Sequence, residues 1–256
     1  MHRPATLLLV AALAAPLAAQ PAERVRIGLI IDDLGNSLRD GERAARLPGA
    51  VACAVLPHTA HARELATLAH AAGKEVLLHL PMEAREAVEP GPGQIDARMP
   101  PAEVRATLDY DLSTVPHAIG INNHMGSLLT TRPPAMTGLM HELRRRQLFF
   151  VDSRTATDSV AAATAQAQGI PVLARDVFLD DDPSPEAVVA QLAQLERLAR
   201  RHGYALGIGH PRPATLAALE QWLPRRAARG IDLVPLTTRL TQLNPEAKPW
   251  HASWSR

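Results

Sequence analysis

The stretch VRIGLIIDDLG, residues 25–35, decides how the rest of the chain is read. Its first seven residues form a nearly continuous apolar run rich in valine and isoleucine, without the polar alternation of a half-exposed strand. Such a run suits a strand covered on both faces, as in a parallel sheet with helices packed outside it. Two adjacent aspartates, Asp32 and Asp33, then end the run, and Gly35 follows in the turn.

Working outward, seven further runs of the same kind appear at 51–56, 75–80, 118–121, 148–151, 171–174, 205–208 and 231–235. Stretches with helical spacing separate them. Residues 62–72 carry Leu65, Leu68, Ala69 and Ala72 on one face and close at Gly73. Residues 101–115 align Val104, Leu108, Leu112 and Val115; residues 134–146 align Met136, Leu139, Met140 and Leu143. Ser184-Pro185-Glu186 supplies a cap, a first-turn proline and a first-turn acid for a helix that ends at Gly203. A last helix is expected over 215–229, with Pro224 as a kink or an early stop. Repeated strand–helix alternation within one such length predicts an α/β fold, a single (β/α) barrel over residues 24–243. A doubly wound open sheet is the rival arrangement. Residues 244–256 lack periodicity and are expected to be a loose tail.

Composition narrows the function. The chain has 256 residues, 27 basic and 26 acidic side chains, and one cysteine. Near-neutral charge and the lack of a basic block interleaved with aromatics give no pull toward nucleic acid. A single cysteine excludes an internal disulfide, a four-thiolate zinc site and a CxxC redox pair. Cys53, between Ala52 and Ala54, reads as a buried structural thiol. Residues 1–20 follow the plan of a signal peptide: a basic start, an apolar stretch, then small residues around Ala18 and Ala19. Export to the periplasm or cell envelope is therefore expected, with no transmembrane span in the mature chain. An uncleaved anchor is the alternative.

In parallel α/β folds the chemistry lies at the C-terminal ends of the strands. The residues that end the runs are Asp32-Asp33, Pro57-His58 with His61, His79 with Glu83, Asn122-Asn123-His124, Asp152-Ser153-Arg154, Arg175-Asp176, and His210. Paired aspartates at a strand end can divide two tasks, one holding a metal while the other takes a proton from water. The other reading is a turn in which Asp33 caps a helix. Asp33, His79 and His124 together supply one carboxylate and two imidazoles, the donor composition of a catalytic zinc site with an open position. His61 and Glu83 are further candidate ligands. His210 is the candidate general acid, since imidazole donates protons near neutral pH. Asp152 and Asp176 are candidates for orienting histidines or holding substrate. The acidic triplet 180–182 lacks EF-hand spacing and reads as a solvated turn.

No GxSxG elbow, GxxxxGK[ST] loop or GxGxxG fingerprint is present. In order, however, IIDDLG, AVLPHTAHARELA, VLLHLPME, GINNHMGS, VDSRT, VFLDDD and IGHP closely resemble the divergent polysaccharide deacetylases, bacterial relatives of carbohydrate esterase family 4. The likeness runs from about residue 26 to 240. It implies a distorted seven-stranded (β/α) barrel and a divalent metal, usually zinc, acting on an N-acetylated glycan. It further implies Asp32 as base, Asp33 as metal ligand and His210 as the acid that protonates the leaving amine. The parent family draws two metal histidines from one HxxxH motif. Here that position reads His79-Leu80-Pro81-Met82-Glu83, so either Glu83 or His124 takes the second place. The parent's arginine–proline–aromatic motif is replaced by NNHMGS, which leaves Asn122, Asn123 or Arg154 to face the developing oxyanion. The leading expectation is a metal-dependent hydrolase removing N-acetyl groups from an envelope glycan or a related amide. The alternatives are a binding or scaffold protein on the same barrel, and a different metal hydrolase such as an esterase or peptide-crosslink amidase.

Overall fold

The computed structural model describes residues 24–246. The expected signal peptide and most of the expected tail lie outside the described residues. Each of the eight apolar runs becomes a strand, and a short ninth, β7, joins them: β1 (Val25–Leu34), β2 (Val51–Val55), β3 (Val76–Met82), β4 (Ala118–Met125), β5 (Phe149–Asp152), β6 (Val172–Ala174), β7 (Val177–Phe178), β8 (Tyr204–Gly209) and β9 (Ile231–Leu233). The helices are α1 (Leu38–Ala45), α2 (Ala62–Ala71), α3 (Pro101–Thr114), α4 (Pro133–Arg146), α5 (Ala161–Ala167), α6 (Pro185–His202), α7 (Pro213–Trp222) and α8 (Leu236–Leu243). Ser184 caps α6 as its sequence predicts, its side chain accepting from the Ala187 N–H. The last long helix stops at Trp222, and Pro224 falls in the 3₁₀ turn that follows.

All the pairings are parallel, and the sheet runs β6-β5-β4-β3-β2-β1-β8-β7. Its two ends, β6 and β7, belong to one stretch of chain broken at Arg175-Asp176. The Arg175 N–H donates to the Asp152 carbonyl on one side and the Asp176 N–H to the Leu206 carbonyl on the other. This stretch therefore spans the gap, and the sheet curls into a distorted barrel. Counting β6 and β7 as one strand gives seven around the barrel. The expected seven is exceeded because β9 pairs with the first three residues of β1, below the point where β2 begins to pair.

Alternation along each strand divides the core in two. Outward residues such as Leu29, Ile31, Leu78 and Ile121 pack against the helices. Inward residues, among them Ile30, Ala54, Leu77, Phe149, Val151 and Ile208, form a second cluster inside the barrel. Leu236 and Leu240 of α8 join that inner cluster, so α8 closes the end of the barrel from which the strands begin. Each such leucine contributes about 2 kcal/mol by leaving water. At the opposite end the inward positions of the strands turn polar.

Candidate active site and metal centre

Continuing the inward alternation of each strand by one step gives the site. After Ile30 comes Asp32, after Leu77 comes His79, and β4 presents Asn122 and His124. The strands are thus longer than their apolar runs: β4 continues through Asn122-Asn123-His124 instead of stopping at Ile121. The His79–Asn122 and Pro81–His124 register sets the polar residues of β3 and β4 side by side.

Alternation alone would send Asp33 outward. Instead the β1–β2 register shifts between Ile31 and Leu34, and Asp33 adopts φ 56°, in the left-handed region. A non-glycine residue held there costs on the order of 1 kcal/mol or more. The bulge turns Asp33 to the same pocket as Asp32. The helix-capping role falls to Ser37, which accepts from the Asp40 N–H.

Asp33, His79 and His124 converge. Asp33 Oδ1 stands 3.1 Å from His79 Nε2 and 2.9 Å from His124 Nδ1, and the two ring nitrogens are 3.2 Å apart. Three donors on a tetrahedral zinc, each about 2.0–2.1 Å from the ion, stand roughly 3.4 Å from one another. The observed triangle is close to that size. Asp33 Oδ1 is also buried without a well-aligned hydrogen bond, although both nitrogens are near. A buried carboxylate oxygen facing two imidazole nitrogens at these separations fits a shared cation. Among the described residues these three are the group so arranged.

The surroundings orient these donors. His79 Nδ1–H donates to Asn122 Oδ1 at 2.9 Å, leaving Nε2 for the centre. Asn122 Nδ2 donates to Asp32 Oδ1 at 2.8 Å. Asp32 is buried, and its Oδ2 lies 3.7 Å from His79 Nε2. Burial raises the Asp32 pKa, against the lowering effect of His79, His210 and the Asn122 hydrogen bond. Burial also acts to raise Asp33, but His124 and His79 prevail and hold it well below the ordinary carboxylate range. Burial acts to lower His79, and the neighbouring Asp32 and Asp33 carboxylates overcome it and bring it to about 9.

His210 faces the group from just past the end of β8, its Nε2 3.8 Å from Asp33 Oδ2. Its Nδ1–H donates to Asp180 Oδ1 at 2.9 Å. Asp180 Oδ2 accepts from the His210 N–H and from the Thr215 hydroxyl. The sequence reading of the 180–182 triplet as a solvated turn is corrected here: Asp180 is fully buried. Its contacts with His210 overcome its own desolvation and lower its pKa; the same contacts, with Asp32 and Asp33, raise His210 against burial. Phe178 stacks on the His210 ring, and Arg175 lies 4.1 Å over Phe178. Arg175 is a run-end residue to which the sequence assigns no role. Its Nε–H donates to the Ser153 carbonyl, and it is near enough to Asp32 to feel that carboxylate.

Other candidates are used elsewhere. Glu83 accepts from the Ala97 N–H at 2.8 Å and lines a separate cavity. His61 precedes α2 and pairs with Glu64. His58 meets Asp111 of α3 at 2.7 Å. Asp152 accepts from the Arg154 N–H, the Ser159 hydroxyl and the Ala162 N–H, and so shapes the loop into α5. Asp176 accepts from the Leu206 N–H at the barrel seam. Arg154 donates to the Arg175 carbonyl, and Asn123 ties Met125 to Ser153 and Thr155. Cys53 is buried, its thiol pushed up to about 12 by burial.

The family described as divergent polysaccharide deacetylase matches residues 29–240. The uncharacterized protein YibQ of Escherichia coli strain K12 is 38% identical over 213 residues, covering 83% of this chain and 67% of YibQ. The crystal structure of uncharacterized protein ATU2773 from Agrobacterium tumefaciens C58 superposes with a TM-score of 0.81 at 26% identity, covering 86% of this chain and 90% of that one. The catalytic domain of a peptidoglycan N-acetylglucosamine deacetylase from Eubacterium rectale ATCC 33656 shares the fold at a TM-score of 0.53 and 20% identity, covering 86% of this chain and 91% of that one.

Proposed function

This chain belongs to the divergent polysaccharide deacetylase family, and from that premise we propose that it is a zinc-dependent hydrolase, exported to the cell envelope, that removes N-acetyl groups from an envelope glycan. The observation that carries the reading is the convergence of Asp33, His79 and His124. Asp32 and His210 flank them, two titratable groups outside the donor set.

When bound by Asp33, His79 and His124, a divalent cation would polarise the acetamide carbonyl and acidify an adjacent water. Asp32 is the base that receives the proton of the attacking water. Its burial makes the carboxylate more basic, and Asn122 fixes its orientation. His210 is the acid. With Nδ1–H committed to Asp180, Nε2 carries the proton offered to the leaving amine. Asp180 supports the imidazolium form, so His210 remains a competent donor at neutral pH. The export step rests on residues 1–20, whose basic start, apolar stretch and small residues match a signal peptide.

The test is acetate release from N-acetylglucosamine oligomers and peptidoglycan by zinc-supplemented wild type and Asp32→Asn. Release by wild type and loss in Asp32→Asn, with equal metal content, supports the assignment. No release by metal-loaded wild type from any N-acetylated glycan overturns it in favour of a binding protein on the same barrel.

A further inference from the structure

Glu83, which the metal centre does not use, opens onto a cavity of about 430 Å³ bounded by Ala97, Arg98, Leu128, Arg132, Pro134 and Ala135. The cavity lies on the same rim as the site. Glu83 directly follows β3, four residues beyond His79, about 13 Å at the rise of a strand. Leu128 is four residues beyond His124, past a turn in which Met125 and Gly126 both have positive φ. The two walls are joined: the Leu128 and Leu129 N–H groups both donate to the Glu83 carbonyl.

Its chemistry is specific. Ala97, Leu128, Pro134 and Ala135 make an apolar floor. Arg98 and Arg132, both exposed, also line it, and among the described residues neither side chain makes an ion pair or hydrogen bond. Other arginines around this rim are committed: Arg85 to Asp158, Arg154 to the Arg175 carbonyl and Arg175 to the Ser153 carbonyl. Glu83 gives one oxygen to the Ala97 N–H, and its other oxygen is open to a hydroxyl or amide N–H. Two uncommitted guanidiniums outweigh that single carboxylate, and each can bind a carboxylate in a two-pronged fashion.

We infer that this cavity is a subsite for a carboxylate-bearing unit of the glycan, held by Arg98 and Arg132 while a neighbouring N-acetyl group lies at the Asp33–His79–His124 centre. The inference rests on the deacetylase reading for the second half of that statement, and it adds the substrate class: an acidic glycan, not a neutral one. The apolar floor accommodates the aliphatic arm of an acid-bearing ether substituent, and Glu83 takes a hydroxyl or amide N–H of the same unit.

The test is equilibrium binding by titration calorimetry in zinc-supplemented Asp32→Asn protein, where turnover does not consume the probe. The probes are N-acetylglucosaminyl-N-acetylmuramic acid and N,N′-diacetylchitobiose, which differ by one carboxylate-bearing ether. The acidic disaccharide is expected to bind about tenfold more tightly at low salt, as charge-assisted pairing implies. That preference falls to about twofold or less when Arg98→Gln and Arg132→Gln are combined, while binding of the neutral probe is unchanged. High salt shrinks it in the unsubstituted pocket, a readout independent of any substitution. Equal affinity for the two probes, no binding of either, or a preference that survives both substitutions overturns the inference. Acetate release without acid preference would remove the subsite and leave the deacetylase reading standing; acid preference without acetate release would do the reverse.

Discussion

His210 and Asp180 are joined twice: the ring Nδ1–H donates to one carboxylate oxygen and the backbone N–H of the same histidine donates to the other. The pair fixes both the position of the ring and the nitrogen that faces the centre. Since Asp180 does not touch the metal donors, its removal should affect proton delivery alone. Asp180→Asn is expected to lower kcat for deacetylation roughly 100-fold, within the usual range for general acid–base catalysis. Metal content should be unchanged, as elemental analysis of the same samples would check. Full activity in this variant would show that proton delivery by His210 does not depend on the Asp180 carboxylate.

Asn122 links the metal donors to the base. It holds His79 through its carbonyl oxygen and Asp32 through its amide. Asn122→Ala frees both, and the loss of such a supporting partner weakens metal affinity about 10–100-fold. Competition with a chromogenic chelator measures that change, and an unaltered affinity would show that His79 is oriented by other means.

A pH effect away from the site comes from Asp111. The carboxyl is buried in α3 beside His58, one of its oxygens has no hydrogen-bond partner, and burial raises its pKa to about 8. Between the ordinary carboxylate value and about 8 the folded state keeps a proton that the unfolded state has released. Stability from this residue is therefore greatest in mild acid and declines as pH rises to about 8. Asp111→Asn keeps an acceptor for His58 and removes the titration. Thermal melts from pH 5 to 8.5 should accordingly show a flatter Tm profile than wild type, over roughly the window set by the two pKa values.

Leu240 closes the barrel from the end opposite the site. Leu240→Ala is expected to cost about 2–5 kcal/mol in urea unfolding, the usual range for a buried leucine. The polar end should be unaffected in its metal affinity. A cost near zero would mean that α8 does not plug the barrel in solution.

Much of the fold was legible in the sequence because parallel strands covered on both faces read as plain apolar runs. Seven of the strands and β9 announced themselves that way; β7, two residues long, did not. The strand ends were harder. Asn122, Asn123 and His124 look like loop residues, yet they continue β4 because their polar groups are satisfied in the mouth of the barrel. The paired aspartates pointed correctly to one pocket, whereas the bulge at Asp33 that brings them there has no sequence mark. Asp180 was misread since three successive aspartates resemble a solvated turn, and its partner His210 lies thirty residues further along the chain. The cluster of Asp33, His79 and His124 was readable because the three end strands of one sheet; Glu83, four residues past His79, turns away into the Ala97 loop.

The most direct test is the metal content of the purified protein, compared with Asp33→Ala and His124→Ala after each has been exposed to zinc and desalted. The expected result is about one equivalent of zinc in wild type and Asp32→Asn, and little in the two variants that each remove one of three donors. Wild type that takes up no zinc, or Asp33→Ala and His124→Ala that hold it as tightly as wild type, would contradict the assignment of the centre.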